Sequence, residues 1–310
     1  MEEGEAAVGS VWDANIPLDA PLARRLIARQ FPALASGPVR LLGVGWDNAA
    51  YRIGADTVFR FPRRQSAANL LTREARILPT LAPHLPAPIP APRFVGAPTP
   101  EFPYPFVGYP FLPGEIASDV SPTADARTAL AAPLGAFLRA LHGIAIDDAT
   151  RAWAPGDEIA RNDLVGRAPT VSARLRGNAA ALEEEAVEAL VALVERLATT
   201  PPWSAPPRWV HGDLYPRHLL LDDAGQFVCV IDWGDVHLGD PALDLSFAWT
   251  FLPVTAHAIF RDNYGPIDAA TWGRARFRAI HYGAILAEYG RAEGIAPLLD
   301  LAIATLHRAL

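Results

Sequence analysis

The chain has 310 residues, 51% of them apolar and 20% charged, which places it among globular proteins and excludes an intrinsically disordered chain. Lys and Arg number 27 against 34 Asp and Glu, a net charge of -7, so nothing in the overall balance favours a phosphate backbone and no nucleic-acid partner is expected. No apolar run approaches the roughly 18 residues a membrane span needs, the N-terminal MEEGEAAVGS is acidic without an apolar core, and no membrane partner is expected. A cytoplasmic protein with a frayed first ten residues is the expectation. The lone cysteine, Cys229 in FVCVI, has no partner for an internal disulfide and reads as a small core hydrophobe.

Two domains are expected at this length, drawn at 1–112 and 113–310. In chain order, Leu22, Leu26 and Ile27 recur at helical spacing and predict a first helix within 18–31, with a strand beginning at Val39. AAYRIG, DTVFRF, PRFVG and YPFVGYPFL are short, β-branched or aromatic, and bounded by Gly, Pro or Asp, as strands are. SAANLLTREARILPTL lies among them with Leu70, Leu71, Ala75 and Leu78 on one helical face, giving the order three strands, a helix, two strands. PHLPAPIPAPRF disfavours helix and reads as a turn and extended connector. Leu130, Leu134, Phe137, Leu138 and Leu141 mark a long helix from Thr123, and helical spacing then dominates to the C-terminus. The exception is 208–232, where short apolar strands alternate with polar turns and Asp223 to Gly225 reads as a hairpin turn.

The chemistry concentrates in that exception. HGDLYPRHLL followed by VIDWGD places Asp213 and Asp232 on two polar loops flanked by apolar strands, where both can face one cleft. Phosphoryl transfer needs a group that orients the attacking hydroxyl and accepts its proton, plus metal ligands that neutralise phosphate oxygens. In the protein-kinase pattern a catalytic Asp precedes a metal-binding Asn by five positions, and a second Asp opens a D-x-G unit. Here Asp213 is followed five positions later by His218, and then by Asp232-Trp233-Gly234. The bland alternative is two turn aspartates without a chemical role.

With its continuation GDPALDLS, the pair resembles the aminoglycoside phosphotransferase family and its macrolide kinase relatives, most specifically from Val210 to Asp244 and weakly from Asp147 to Pro207. The resemblance implies a protein-kinase-like two-lobed α+β fold. A small N-terminal lobe would hold an antiparallel sheet and one main helix, and a larger, mainly helical C-terminal lobe would carry a small β insert. It also implies that Asp213 is the catalytic carboxylate, that Asp232 ligates Mg²⁺, and that Asp240 and Asp244 brace the loops. His218 stands where the family commonly has Asn. Imidazole ligates divalent metals, although Mg²⁺ prefers oxygen, and macrolide kinases and some aminoglycoside 2″-kinases resemble this chain in having His there. A metal or phosphate-proximal His218 is expected, with a packing histidine as the alternative. Arg217 replaces a frequent Gly and either reaches phosphate or substrate or is a solvated surface residue.

In the first lobe, Gly43, Gly45 and Asn48 lie in LGVGWDNAAYRIG between two predicted strands, where backbone N–H groups can approach nucleotide phosphates, although any hairpin uses such glycines. Kinases pair a strand-borne cation with a helix Glu; the corresponding residues are Arg60 of VFRFPRR and Glu74, with a plain surface ion pair as the alternative. PFVGYPFLPGE resembles the strand and hinge that hold the base. Tyr109 falls at the gatekeeper position, Pro110 offers a carbonyl, and Phe111 N–H is the next donor. Related antibiotic kinases with bulky gatekeepers tend to favour GTP over ATP, so either nucleotide is open.

The expectation is thus an antibiotic-type O-phosphotransferase using Mg²⁺ and GTP or ATP, with an aminoglycoside acceptor slightly ahead of a macrolide, acting as a monomer or weak dimer. A metabolic kinase of the same fold acting on an amino alcohol, sugar or amino acid is the alternative, and a nucleotide-binding pseudokinase a third reading. The acidic run Glu183 to Glu185 reads as the solvated face of an amphipathic helix rather than a pocket for a polycation.

Overall fold

A computed structural model describes residues 17–45 and 47–310; the expectation for the first ten residues lies outside them. The chain divides into two compact units, one running up to Ala82 and including Ile89–Leu112, the other comprising Pro83–Pro88 and Pro113–Leu310.

The first unit contains α1 (Ala20–Gln30), β1 (Val39–Val44), β2 (Asn48–Ile53), β3 (Thr57–Pro62), α2 (Gln65–Leu81), β4 (Phe94–Gly96) and β5 (Phe106–Pro110). Asp19 caps α1 by accepting Leu22 N–H at 2.8 Å, which satisfies one of the donors a helix start leaves open. All strand pairs are antiparallel, in the order β1-β2-β3-β5-β4. Alternation along β2 and β3 puts Tyr51, Ile53, Phe59 and Phe61 on one face, packed with Leu26 and Ile27 of α1 and with Phe102 and Phe106. The same period of two turns Arg60 to the opposite face, toward α2, where Leu71 packs with Val107 and Tyr109 of β5. The sheet therefore separates an aromatic core from the face that carries the sequence-predicted cation.

The second unit begins with β6 (Glu115–Ile116) and α3 (Ala117–Val120), then α4 (Ala124–Gly143), α5 (Asp148–Arg151), α6 (Leu164–Gly177) and α7 (Glu184–Ala198). After β7 (Arg208–Val210), β8 (Leu219–Leu221), β9 (Phe227–Val230) and β10 (His237–Gly239), it ends with α8 (Ala242–Phe251), α9 (His257–Tyr264), α10 (Ala269–Ala292) and α11 (Ala296–Ala309). Thr123 caps α4, and Glu183 to Glu185 are exposed at the start of α7. The β insert expected at 208–232 is two small sheets. β7 pairs with the later β10, whereas β8 and β9 form a hairpin joined by β6. The split follows from loop chemistry: Asp222 Oδ1 accepts Ala224 and Gln226 N–H, Gly225 has φ +74, and the tight turn closes β8 on β9. The polar loop after Val210 interrupts pairing and sends β7 to another partner.

α8 is buried at all ten positions, as its apolar circumference requires, and packs against α10 and α11. Cys229 is fully buried in β9, and burial pushes its thiol up to about 12, as expected of a core residue. No helix among the described residues is long and apolar enough to cross a membrane.

Candidate active site

The loop between β7 and β8 is held from beneath. Gly212 has φ +83, and a Cβ there would come 2.6 Å from the Asp235 carbonyl and 2.8 Å from the His237 ring, so only glycine fits. Asp244, fully buried at the start of α8, accepts His211 N–H at 2.7 Å through Oδ2 and Gly212 N–H at 2.9 Å through Oδ1. Its Oδ2 also lies 3.1 Å from His142 Nε2, and His142 Nδ1 is 2.9 Å from the Tyr264 hydroxyl. Burial alone would raise the Asp244 carboxyl, but the hydrogen bond and charge of His142, the charge of His211 and the Gly212 N–H hold it below the usual range. Asp240 accepts Ala242 N–H at 2.9 Å, Asn162 Nδ2 at 2.9 Å and Arg274 Nε at 2.7 Å. Both aspartates are thereby committed to fixing backbone and helix positions.

Above this brace, Asp213, His218 and Asp232 come together. His218 lies on a short 3-10 turn, Pro216–His218, and its Nδ1 is 2.8 Å from the Asp213 carbonyl. A carbonyl only accepts, so Nδ1 carries the proton. The other ring nitrogen, Nε2, is 3.3 Å from Asp232 Oδ2. One buried imidazole therefore ties the two sequence-predicted carboxylate positions together. Burial disfavours the charged ring, yet the hydrogen bond and charge of Asp232 and the charge and carbonyl of Asp213 carry the His218 pKa above its ordinary value.

Asp232 has φ +63, a left-handed conformation that a non-glycine residue adopts under strain. The neighbouring Trp233 enforces it: its ring is fully buried and its Nε1 donates to the Val230 carbonyl at 2.9 Å. The Asp232 side chain is 47% exposed and that of Asp213 27%, so both carboxylates reach solvent from a rigid base. Burial raises the Asp213 carboxyl and Asp235 adds to this, while His218, Arg278 and His211 oppose it.

Arg217 is exposed on the same turn and makes no ion pair or hydrogen bond to Asp213, His218 or Asp232 among the described residues. The group beside Asp213 is instead Arg278 of α10, which sequence reasoning missed: its Nη2 is 3.8 Å from Asp213 Oδ1 and its guanidinium lies 5.2 Å from the Tyr282 ring centre. Tyr282 in turn packs on Tyr215 at 4.8 Å. The available signal was RARFRAIHYGAIL, a helix whose apolar pattern runs nearly all round and so buries its arginine.

In the first unit, Arg60 Nη1 meets both carboxylate oxygens of Glu74, at 3.1 and 2.9 Å, and Glu74 is fully buried. The turn between β1 and β2 closes through Gly45 N–H to the Asn48 carbonyl at 2.9 Å, and Arg63 Nη1 binds the Gly45 carbonyl at 2.8 Å. Neither Gly43 nor Gly45 has positive φ, and a Cβ at Gly43 would meet nothing within 4 Å. The protein itself thus does not demand these glycines; they leave open space beside the turn. Asn48 Oδ1 is buried and has no hydrogen-bond partner among the described residues. Tyr109 is buried on β5, and Pro110 pairs in register with Thr57. Phe111 N–H, expected as a free donor, is given to the Asp56 carbonyl at 2.7 Å because the β3–β5 ladder continues past Pro110.

Residues 38–280 match the Phosphotransferase enzyme family, APH. The chain belongs to that family. This phosphotransferase is a kinase-type enzyme of the protein-kinase-like fold. Its fold is shared with the GDP and kanamycin complex of APH(2″)-IIIa at 24% identity and a TM-score of 0.70, covering 93% of this chain and 97% of that one. It is also similar to the macrolide 2′-phosphotransferase MphH from Brachybacterium faecium, at 25% identity and TM-score 0.59 over 94% and 98% of the two chains. YcbJ of Bacillus subtilis (strain 168) is 29% identical over 65 residues, a match that spans 21% of this chain and 21% of that relative.

The donor set fits a magnesium ion. Mg²⁺ is usually held by one or two carboxylates while phosphates and waters complete its shell, and the solvent-reaching Asp232 carboxylate supplies such a ligand. Among the described residues no group of three or more His, Cys, Asp or Glu is placed to hold a metal ion by itself.

Proposed function

We propose that this phosphotransferase moves the γ-phosphoryl group of a nucleoside triphosphate to a hydroxyl of a small-molecule acceptor, with Asp213 as the base. The observation that carries this reading is the His218 imidazole joined to the Asp213 carbonyl and the Asp232 carboxylate. It sets a proton-accepting carboxylate beside a strained, solvent-reaching one. In the reaction the acceptor oxygen forms its bond to Pγ and gives its proton to Asp213. The bond from Pγ to the β–γ bridging oxygen breaks, and the nucleoside diphosphate leaves. Because the transition state is loose, alignment and electrostatics supply most of the rate.

Asp232 would hold Mg²⁺, with His218 as a second ligand once the metal takes the place of the Nε2 proton, and the ion would supply charge neutralisation at the phosphate oxygens. Arg60, fixed by Glu74, grips the phosphates, and the Gly43–Asn48 turn offers backbone N–H groups to them. Arg217, exposed next to His218, reaches phosphate or acceptor. Replacing Asp232 by Ala should weaken magnesium-dependent nucleotide binding about tenfold or more while leaving magnesium-free binding unchanged. Calorimetry with and without Mg²⁺ measures both, and equal losses under the two conditions would remove Asp232 from the metal site.

Tyr109 and the Pro110 carbonyl are the proposed contacts to the base, with Phe111 contributing its ring rather than its N–H. A large aromatic at Tyr109 narrows the back of a purine pocket, which supports GTP. With GTP and ATP compared at equal concentration, kcat/KM is expected to be higher for GTP; a strong ATP preference refutes that assignment.

For the acceptor, the kanamycin named for APH(2″)-IIIa and the macrolide for MphH support an antibiotic, aminoglycoside first. A specific observation favours the second reading, a metabolic small-molecule kinase: the cation at Arg278 stands where an aminoglycoside would bring its own.

A further inference from the structure

Resting on Asp213 as the base and on the metabolic-kinase reading of the acceptor, the geometry points to Arg278 as a specificity-determining residue that selects acceptors carrying neutral or anionic oxygen groups next to the reacting hydroxyl and rejects those carrying an ammonium there. The guanidinium is 3.8 Å from Asp213 Oδ1, and the residue is only 8% exposed. An acceptor hydroxyl delivered to Asp213 therefore brings its neighbouring substituents against Arg278.

Two further facts make this cation a recognition group. Its five N–H donors make no hydrogen bond to a protein oxygen among the described residues. Donors that the protein leaves unengaged are available to an acceptor oxygen from hydroxyl, ether or carboxylate. The surroundings also lack what a polycation requires. Arg278 shares a crevice with Gly212, Asp213, Leu214, Ser246 and Tyr282, in which Asp213 is the one carboxylate among the described lining residues. The other cations whose charge reaches Arg278 are Arg161 and Arg167. Arg161 is matched by Asp157 and Asp235, but Arg167 is bonded only to the carbonyls of Ile159 and Ala160. Nearby, Arg174 is neutralised by Glu288 at 2.7 Å. These groups together are neutral and lean positive once Asp213 has taken up the acceptor's proton.

Two like charges about 5 Å apart at an effective dielectric near 20 alter an equilibrium on the order of a hundredfold. That factor is the expected discrimination between acceptors that differ only in the group beside the hydroxyl.

The test uses the full chain with Mg²⁺ and its preferred nucleotide. Its probes are matched hexoses: the neutral sugar, the 2-amino-2-deoxy sugar and the uronate, with kanamycin and erythromycin alongside. kcat/KM is read from nucleoside diphosphate release, and acceptor binding to the diphosphate-loaded protein from calorimetry. The neutral or uronate probes should exceed the amino sugar on the order of a hundredfold, in turnover or in binding. Arg278→Gln should shrink that ratio at least tenfold, and Arg278→Lys should restore most of it. Preserved melting temperatures keep folding out of the comparison.

Equal or better use of the ammonium-bearing probes overturns the inference, as does a uniform loss in Arg278→Gln with an unchanged ratio. Failure of the neutral and anionic probes both to bind and to react overturns it too. The underlying reading fails separately: acceptor-independent nucleotide hydrolysis that survives Asp213→Asn would remove the base without reference to acceptor charge.

Discussion

Asp213→Asn is expected to lower kcat by about 10³-fold or more, with nucleotide affinity within about twofold of the parent, because removing a positioned base costs about 10² to 10⁴ in rate. Asn keeps the size of the side chain and leaves the Asp213 carbonyl free to accept from His218 Nδ1, so the loop keeps its course. What it loses is a proton acceptor and, among the described residues, the one carboxylate paired with Arg278. Single-turnover kinetics with the preferred nucleotide, together with calorimetric titration of that nucleotide, separate the two quantities. Turnover within tenfold of the parent would mean that the hydroxyl proton leaves by another route, and the assignment of the base would fall.

The second large effect is on stability. Asp244→Ala should destabilise the protein by about 3 kcal/mol or more, since it strands two buried backbone donors, His211 N–H and Gly212 N–H, and strips His142 of its partner. For a unit of this size that corresponds to a melting temperature lower by about 10 °C. Acid sensitivity has the same origin. The folded carboxyl is held below its ordinary value of 3.8, so its contribution is complete above that pH and is lost as the pH falls through the lower folded value. Asp244→Asn should therefore flatten the acid limb of the stability curve below about pH 4. Scanning calorimetry from pH 3 to 7 reads both effects, and an unchanged acid limb would show that Asp244 is not the titrating group.

Much of this was legible in the sequence because the signals were periodic or punctuated. Phe59 and Phe61 flanking Arg60 declare a strand with two unlike faces, and the structure puts the aromatics in the core and the arginine against Glu74. The spacing of Asp213, His218 and Asp232 also carried, because a tight loop and a D-x-G turn leave few ways to point those side chains. Contacts made by sequence-distant helices did not carry. Arg278 lies 65 positions after Asp213 on a helix without a polar face, and no local pattern announces which loop it meets. The engagement of Phe111 N–H by Asp56 was hidden for a related reason: how far a strand ladder runs depends on the partner strand, not on the residue itself.

The short ladder between β6 and β8 has a consequence for how such a chain can vary. Glu115 and Ile116 pair with Leu221 and Leu220, three and two residues beyond His218, and a Cβ on Gly114 would stand 2.9 Å from the Leu221 carbonyl. An insertion or deletion near position 114 would slip this pairing and invert which side chains face inward, dragging the imidazole that spaces the two carboxylates. Changes in length are better tolerated at the exposed residues between α6 and α7, since the stretch between α5 and α6 is itself tied to the brace through Asn162 on Asp240 and the Pro155 carbonyl on Leu238 N–H. Variation in length can therefore accumulate between α6 and α7 while the reactive loops keep their register.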